Sequence, residues 1–193
     1  MTPLAYADIL RPAAKRNALA YDIVMVLAGS FVLALASQLA VRLPFSPVPV
    51  TAQTLAVLLV GATLGAKRGS LAVIAYLTQG AAGLPVFAGG LSGVAYMAGP
   101  TGGYLAGFVM AAYVTGFCAE KGWDRNVVST IMAMALGNIA IYLIGITWLS
   151  VYVGAGNAFY TGLYPFVIGD ILKLLVAAAI LPAGWKLIGK YRK

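Results

Sequence analysis

The sequence predicts an all-α integral membrane protein, a single domain of six transmembrane helices with both termini in the cytoplasm. Three observations carry that prediction. Hydrophobic residues make up 62% of the 193 positions and charged residues only 9%, whereas about a quarter of a soluble domain is charged. So much apolar surface exceeds what a 20.0 kDa core can hide from water. The charges are also gathered, for Leu43 to Ala66, Gly69 to Ala119 and Asn126 to Gly169 contain no Asp, Glu, Lys or Arg. Each block has room for at least one span of about 20 residues. Thirdly, the basic residues cluster on alternate turns, which is the pattern that orients a multi-pass chain.

The elements follow in order. Residues 1–20 carry Arg11, Lys15 and Arg16 around short apolar pieces and suit an interfacial helix lying on the membrane. The first span covers about 21–40 and reads as a retained helix, because it continues at full length without a small-residue cleavage pattern. Arg42 and the stretch Leu43 to Val50 end it, since Pro44, Pro47 and Pro49 forbid a helix there. A short second span, about 51–64, is tilted or partly re-entrant, and Lys67 and Arg68 mark its far end. The third covers about 70–82. Between Gly83 and Gly103 lie seven glycines and two prolines in an apolar loop. Irregular backbone at membrane depth survives only against protein or a water-filled cavity, so this loop folds back onto the bundle. A fourth span, about 104–119, ends at the polar run Glu120 to Arg125. The fifth, about 127–153, is long enough to tilt, and Gly154 to Asn157 breaks it. The sixth is about 164–188, before a basic tail of Lys190, Arg192 and Lys193.

Six spans put both termini on one side together with the Lys67-Arg68 and Lys121–Arg125 turns. That side then holds every Lys and Arg except Arg42, on the opposite side, and Lys173, inside a span. Positive-inside bias therefore places both ends in the cytoplasm. The same bias accounts for the net charge of +8 without nucleic acid as a partner. Histidine is absent, which removes histidine-ligated zinc and every hydrolase that relies on imidazole. No metal set and no cofactor site is legible. The lone Cys118 sits in an apolar run as a small packing residue.

One constellation could carry chemistry. Asp170 and Lys173 stand three apart in the sixth span, so both project from one helical face. Each charge costs about 2.5 to 3.5 kcal/mol in hydrocarbon even on the lenient insertion scale. Something must offset that: either the two form a self-satisfied ion pair that locks the helix, or they recognise a polar ligand. The second reading is preferred because intramembrane ionisable residues are functional by default. Counting inward from Tyr164 puts Asp170 roughly 9 Å below the outer end, so the site opens outward. Gln53, Thr78, Gln79, Thr101 and Asn138 are polar residues in or beside spans. Of these, Gln53 and Gln79 have the reach and the donor–acceptor character to read a ligand. Small residues recur at intervals of four at Gly61, Gly65 and Gly69 and at Gly99, Gly103 and Gly107, a spacing that lets helices approach closely. Gly184 to Lys190 matches the opening of a nucleotide-binding P-loop, but Tyr191 replaces the required Ser or Thr and no helix follows. The match is coincidental.

The run Pro47-Val48-Pro49-Val50-Thr51-Ala52-Gln53-Thr54-Leu55-Ala56-Val57-Leu58-Leu59 resembles the signature of the BioY family of prokaryotic biotin-binding membrane proteins. Further on, Gly83-Leu84-Pro85-Val86-Phe87-Ala88, Gly99-Pro100-Thr101-Gly102-Gly103-Tyr104, Pro165-Phe166, Gly169-Asp170 and Lys173 resemble the same family in order. The resemblance covers about residues 28–173. It implies a six-helix S component, the substrate-binding part of an energy-coupling factor (ECF) vitamin transporter in the cytoplasmic membrane. It also implies a ligand near the outer face, under the loops joining helices one to two and three to four, in reach of Asp170 and Lys173. Members typically dock on a membrane coupling subunit, itself served by ATP-binding cassette ATPases, through an Ala-x-x-x-Ala pattern on the first helix. This chain reads Ala28-x-x-x-Val32 or Ser30-x-x-x-Ala34 instead, so the docking candidates are Ala28, Gly29, Ser30 and Ala34.

Biotin offers ureido donors and an acceptor, an apolar bicycle and a carboxylate. Asp170 can accept from ureido N–H groups, Lys173 can donate or hold Asp170 in place, and Phe87, Tyr96 and Tyr104 are candidate walls. The alternatives are another small vitamin, or a solitary transporter without a coupling module; a second copy of the chain stays open as a partner. A channel would need a polar stripe along several spans, and an aspartyl protease a second aspartate near Asp170, where Asp22 lies at the far end of the first span.

Overall fold

Glycine and proline cut the apolar chain into helices that alternate in direction. The computed structural model describes residues 5–191. Within them lie α1 (Tyr6–Ile9), α2 (Lys15–Gln38), β1 (Ala40–Val41), β2 (Val50–Thr51), α3 (Gln53–Leu64), α4 (Ala66–Ala81), α5 (Val94–Met97), α6 (Gly102–Glu120), α7 (Val127–Val153), α8 (Ala155–Gly162) and α9 (Val167–Tyr191). Helices α2, α3, α4, α6, α7 and α9 form the bundle. Of these α2, α6, α7 and α9 are long and apolar enough to cross a membrane. Helix α3 rises about 18 Å and α4 about 24 Å, both short of the ~30 Å hydrocarbon core.

Alternation brings the first and last described helices to one end. There the Tyr6 hydroxyl donates to the Leu181 carbonyl, and the Tyr6 ring packs against Trp185 with centroids 4.4 Å apart. This basic end also holds Arg11, Lys67, Arg68, Lys121 and Arg125. The opposite, lidded end holds the β1–β2 pair, α5, α8 and the start of α9.

Several boundaries differ from the sequence expectation, each for a local reason. Helix α2 starts at Lys15, so the expected interfacial segment reduces to α1 and a short link; residues 1–4 lie outside the described residues. Helix α4 starts at Ala66 rather than 70, because Gly65 turns the chain at φ +85° and the Glu120 carboxylate accepts from the Ala66 N–H at 2.8 Å. That acid also offsets Lys67 and Arg68, which sit unfavourably at a helix amino end. Gly154 (φ +82°) does end α7, but the chain re-enters a helix at once as α8. The last helix begins at Val167 instead of 164. Asp170 is thereby in its first turn, closer to the end than the expected 9 Å.

Glycine sets the core spacing. A Cβ on Gly61 would stand 2.5 Å from the Ala112 carbonyl of α6, and one on Gly103 2.2 Å from Trp148 Cβ of α7. Helix α6 is therefore clasped on two sides and is the most buried of the long four. By contrast α2 lies at the edge and presents Ile23, Val24, Leu27, Phe31 and Leu35 outward. Its four docking candidates do not share a surface: Ala28 is exposed, Ala34 packs against the core, and Gly29 and Ser30 are buried. A Cβ on Gly29 would meet Ala72 at 2.9 Å and Leu64 at 3.0 Å. Gly29 and Ser30 thus serve contact with α3 and α4, and Ala28 is the exposed one of the four candidates. The P-loop-like run lies on the closing turns of α9, where the backbone is helical.

Candidate ligand site

Two loops close over the lidded end. In the first, β1 pairs with β2 (Ala40 with Thr51, Val41 with Val50), so the three prolines bulge outward between fixed ends. The Ser46 hydroxyl donates to the Thr161 carbonyl at 2.7 Å, fastening the bulge to α8. Val48 is thereby turned in and buried. The second loop runs from Ala82 to Thr101. Its anchor is Phe87, fully buried over Gly80, where a Cβ would overlap the ring at 2.0 Å. The Ser37 hydroxyl donates to the Val86 carbonyl at 2.6 Å, and the Gly93 N–H to the Gly80 carbonyl at 2.7 Å. Tyr96 stacks on Phe87 with centroids 5.0 Å apart.

Beneath both loops, side chains from three helices converge. Lys173 Nζ donates to Asp170 Oδ1 at 3.0 Å, to Thr54 Oγ1 at 2.6 Å and to the Thr51 carbonyl at 2.9 Å. The Thr54 hydroxyl donates in turn to Asp170 Oδ1 at 3.2 Å. The Tyr142 hydroxyl donates to Asp170 Oδ2. Asp170 is only 5% exposed, and its place in the first turn of α9 sets the carboxylate where the helix dipole favours negative charge. A buried ion pair is stable only when its remaining hydrogen-bonding capacity is met. Here the three ammonium donors are all engaged and both carboxylate oxygens accept.

Lys173, Thr51, Thr54, Gln53 and Tyr142 also line a small cavity with Tyr96, Thr101, Tyr104, Phe108, Ile141 and Phe166. Its volume is about 40 Å³, room for about one water molecule. Small-molecule pockets run to about 300–1,000 Å³, so the niche in this conformation is smaller than such a pocket. Burial raises the pKa of the Tyr96 hydroxyl, with Thr101 and the positive charge of Arg42 working against that.

The expected site residues divide. Asp170, Lys173, Gln53, Tyr96 and Tyr104 come together, although Gln53 donates its amide to Tyr76 at 2.7 Å and Tyr104 its hydroxyl to the Gly162 carbonyl at 2.8 Å. Phe87 stands one layer back and supports Tyr96 instead of lining the cavity. Gln79 is elsewhere: its amide donates to Ser30 at 3.1 Å between α4 and α2, because Tyr76 and Gly80 take the face of α4 that meets Phe87. Sequence reasoning missed Thr54 and Tyr142. Thr54 follows Gln53 in the motif already singled out, whereas nothing marks Tyr142 among the apolar residues of α7.

The fold and the niche together define a class, a multi-pass helical membrane protein with a buried polar cluster beneath two loops at one end. The family model described as the BioY family matches residues 11–190, and the chain belongs to that family. It is similar to "Biotin transporter BioY" of Rhizobium etli, 40% identical over 148 residues, which are 72% of this chain and 79% of that protein. The protein of the same name from Thermotoga maritima is 39% identical over 158 residues, 81% of this chain and 92% of that one. Among solved structures, the crystal structure of the S-component for biotin from an ECF-type ABC transporter superposes with a TM-score of 0.77 at 25% identity, covering 90% of this chain and 95% of that one. The family is one of transport proteins, not of enzymes.

Proposed function

We propose that this chain captures biotin with high affinity at the outer face of a prokaryotic cytoplasmic membrane and serves as the substrate-binding S component of an ECF-type uptake system. The observation that carries the reading is the Asp170–Lys173 pair, set with Tyr142 and Thr54 beneath two loops against an aromatic wall. It provides a carboxylate acceptor for the N–H groups of a ureido head and an apolar surface for a fused bicycle. Biotin is the cargo, and no cofactor takes part.

Two features bear on how the ligand enters. The cavity is far too small for biotin, so at least one loop lifts before binding. The first loop suits that role, since its middle is held to the bundle chiefly by the hydroxyl of Ser46. In the membrane all six bundle helices act as spans, α3 and α4 as a short hairpin, and the basic end faces the cytoplasm. Energy comes from a transmembrane coupling subunit and its ATPases, because the P-loop-like run of α9 is helix and offers no phosphate cradle. Of the four docking candidates on α2, Ala28 is the exposed one and the one free to meet such a partner.

The test is equilibrium binding of radiolabelled biotin to the purified full chain, with uptake into a biotin-auxotrophic host expressing it. Saturable binding displaced by unlabelled biotin, with rescue of growth at trace vitamin, is expected. No saturable binding and growth equal to that with an empty vector would overturn the reading.

A further inference from the structure

The four acids of the basic end are all engaged within the protein. Asp8 and Asp22 are held by Arg68 and Arg11, Glu120 caps α4, and Asp124 accepts from Trp185. Among the cations there, Arg125 lies over the Trp185 ring and Lys121 over that of Phe117. Lys15 and Arg16, at the start of α2, have neither an acid nor a ring as partner among the described residues. Both are exposed, and both line one groove. It lies in the corner between the end of α1 and the first turns of α2, measures about 940 Å³, and has Arg11, Pro12 and Leu19 in its wall. The corner is fixed from beneath. The Tyr21 hydroxyl donates to the Ala7 carbonyl at 2.9 Å, and Arg11 grips the two oxygens of Asp22 at 3.1 and 2.6 Å. With Arg68 also on Asp8 and Asp22, the unmatched charge of the groove is that of Lys15 and Arg16.

An apolar track begins where these cations stand. Lys15, Leu19 and Ile23 follow at intervals of four, which places them on one face of α2, and Leu19 is 62% and Ile23 52% exposed. Helix α2 has 24 residues and rises about 36 Å, against a hydrocarbon core of ~30 Å. It crosses that core with its charged first turn still among the lipid headgroups, and the track below that turn lies among acyl chains. A soluble anion would engage the cations and leave the track unused. A zwitterionic lipid would cover the track but bring a cation of its own to the groove. An anionic phospholipid matches both parts.

We propose that the corner between α1 and α2 is a binding site for one anionic phospholipid, with the headgroup phosphate on Lys15 and Arg16 and an acyl chain along Leu19 and Ile23. The site is separate from the niche at the lidded end and does not depend on what that niche binds. Because its wall is built from both α1 and α2, a lipid seated there holds the two elements together and stabilises the folded chain.

The experiment titrates the purified full chain in detergent with phosphatidylglycerol or with phosphatidylcholine and measures bound lipid by native mass spectrometry. The unaltered chain should bind phosphatidylglycerol about tenfold or more tightly than phosphatidylcholine. The double variant Lys15→Gln with Arg16→Gln should lose about twentyfold toward phosphatidylglycerol, roughly fivefold for each cation near an anionic surface, and keep phosphatidylcholine within about twofold. Retained phosphatidylcholine binding also shows that the variant folds. Lys67→Gln with Lys121→Gln removes the same charge from the same end outside the groove and should leave both affinities within about twofold. An equal loss in that control would reduce the effect to attraction by net charge, and no loss in either variant would place the lipid elsewhere; each result overturns the site. Displacement of phosphatidylglycerol by inorganic phosphate over the same concentration range would assign the groove to a soluble anion and overturn the lipid.

Discussion

The two ends of the bundle handle charge in opposite ways. At the basic end the acids are partly exposed and each one fastens elements together. Arg68 pairs with Asp8 and with Asp22 at 3.1 Å, Arg11 with Asp22 at 2.6 Å, and Glu120 caps α4, so that α1, α2 and α4 are tied by side chains that water can still reach. At the lidded end one acid and one lysine are sunk into the protein. Their partners come from three other segments, and the surrounding wall is apolar. A network whose acids stay partly exposed tolerates the loss of a member because water can reach them; one built on a buried acid does not. The basic end is built to fasten and the lidded end to discriminate.

This contrast can be broken by substitution. Lys173→Met should cost about 3–5 kcal/mol of stability, because it leaves the Asp170 charge uncompensated in a desolvated site. The double variant Asp170→Asn with Lys173→Met should recover most of that loss in chemical denaturation while biotin binding stays abolished. Recovery of binding together with stability would mean that the pair only holds α9 in place. Arg68→Met should have a smaller effect, about 1–3 kcal/mol for hydrogen bonds to charged groups, since Asp8 and Asp22 keep access to water. Limited proteolysis should then cut the link between α1 and α2 sooner than in the parent chain. A cost equal to that of Lys173→Met would erase the distinction between the ends.

The smallest effect sharpens the comparison, because the basic end contains one exception. Asp124 is 1% exposed, with Oδ2 accepting from the Trp185 indole at 2.6 Å and Oδ1 without a partner among the described residues. Burial raises its pKa above the ordinary 3.8. The folded state therefore binds this proton more tightly than the unfolded state, and the stability it contributes is lost as pH rises from 3.8 through the raised folded value. Asp124→Asn keeps an acceptor for Trp185 and removes the charge. It should melt slightly higher than the parent at pH 7, with the difference shrinking as pH falls toward 4. A constant difference across that range would assign the effect to packing rather than charge.

Much of the fold is legible in composition and punctuation. The run Val127 to Val153 is bounded by Asn126 and Gly154, and α7 has those bounds, because an amide cap and a glycine turn are local signals. Helix starts at Lys15 and Ala66 are less legible, since basic residues there look like flanks, and at Ala66 the cap comes from Glu120, far along the chain. Of the site, Asp170 and Lys173 stand out because ionisable residues among apolar ones are conspicuous. Tyr142 does not, for a tyrosine in a span is as readily packing as ligand. Gln79 misleads for the related reason that an amide shows its reach but not its direction.

What the sequence determined by itself is whatever depends on neighbours along the chain: that lipid is part of the solvent, where helices break, which end is basic, and that one ion pair lies among apolar residues. What only the tertiary structure decided is which faces meet. It turned Gly29 and Ser30 inward, set Phe87 behind Tyr96, brought Arg42 onto Gly89, and fastened Ser46 to Thr161 across 115 positions. Such contacts depend on helix rotation and loop closure. A sequence with apolar residues on every side of its helices leaves rotation unmarked, because lipid and core accept the same side chains, and only close packing at small residues selects one arrangement.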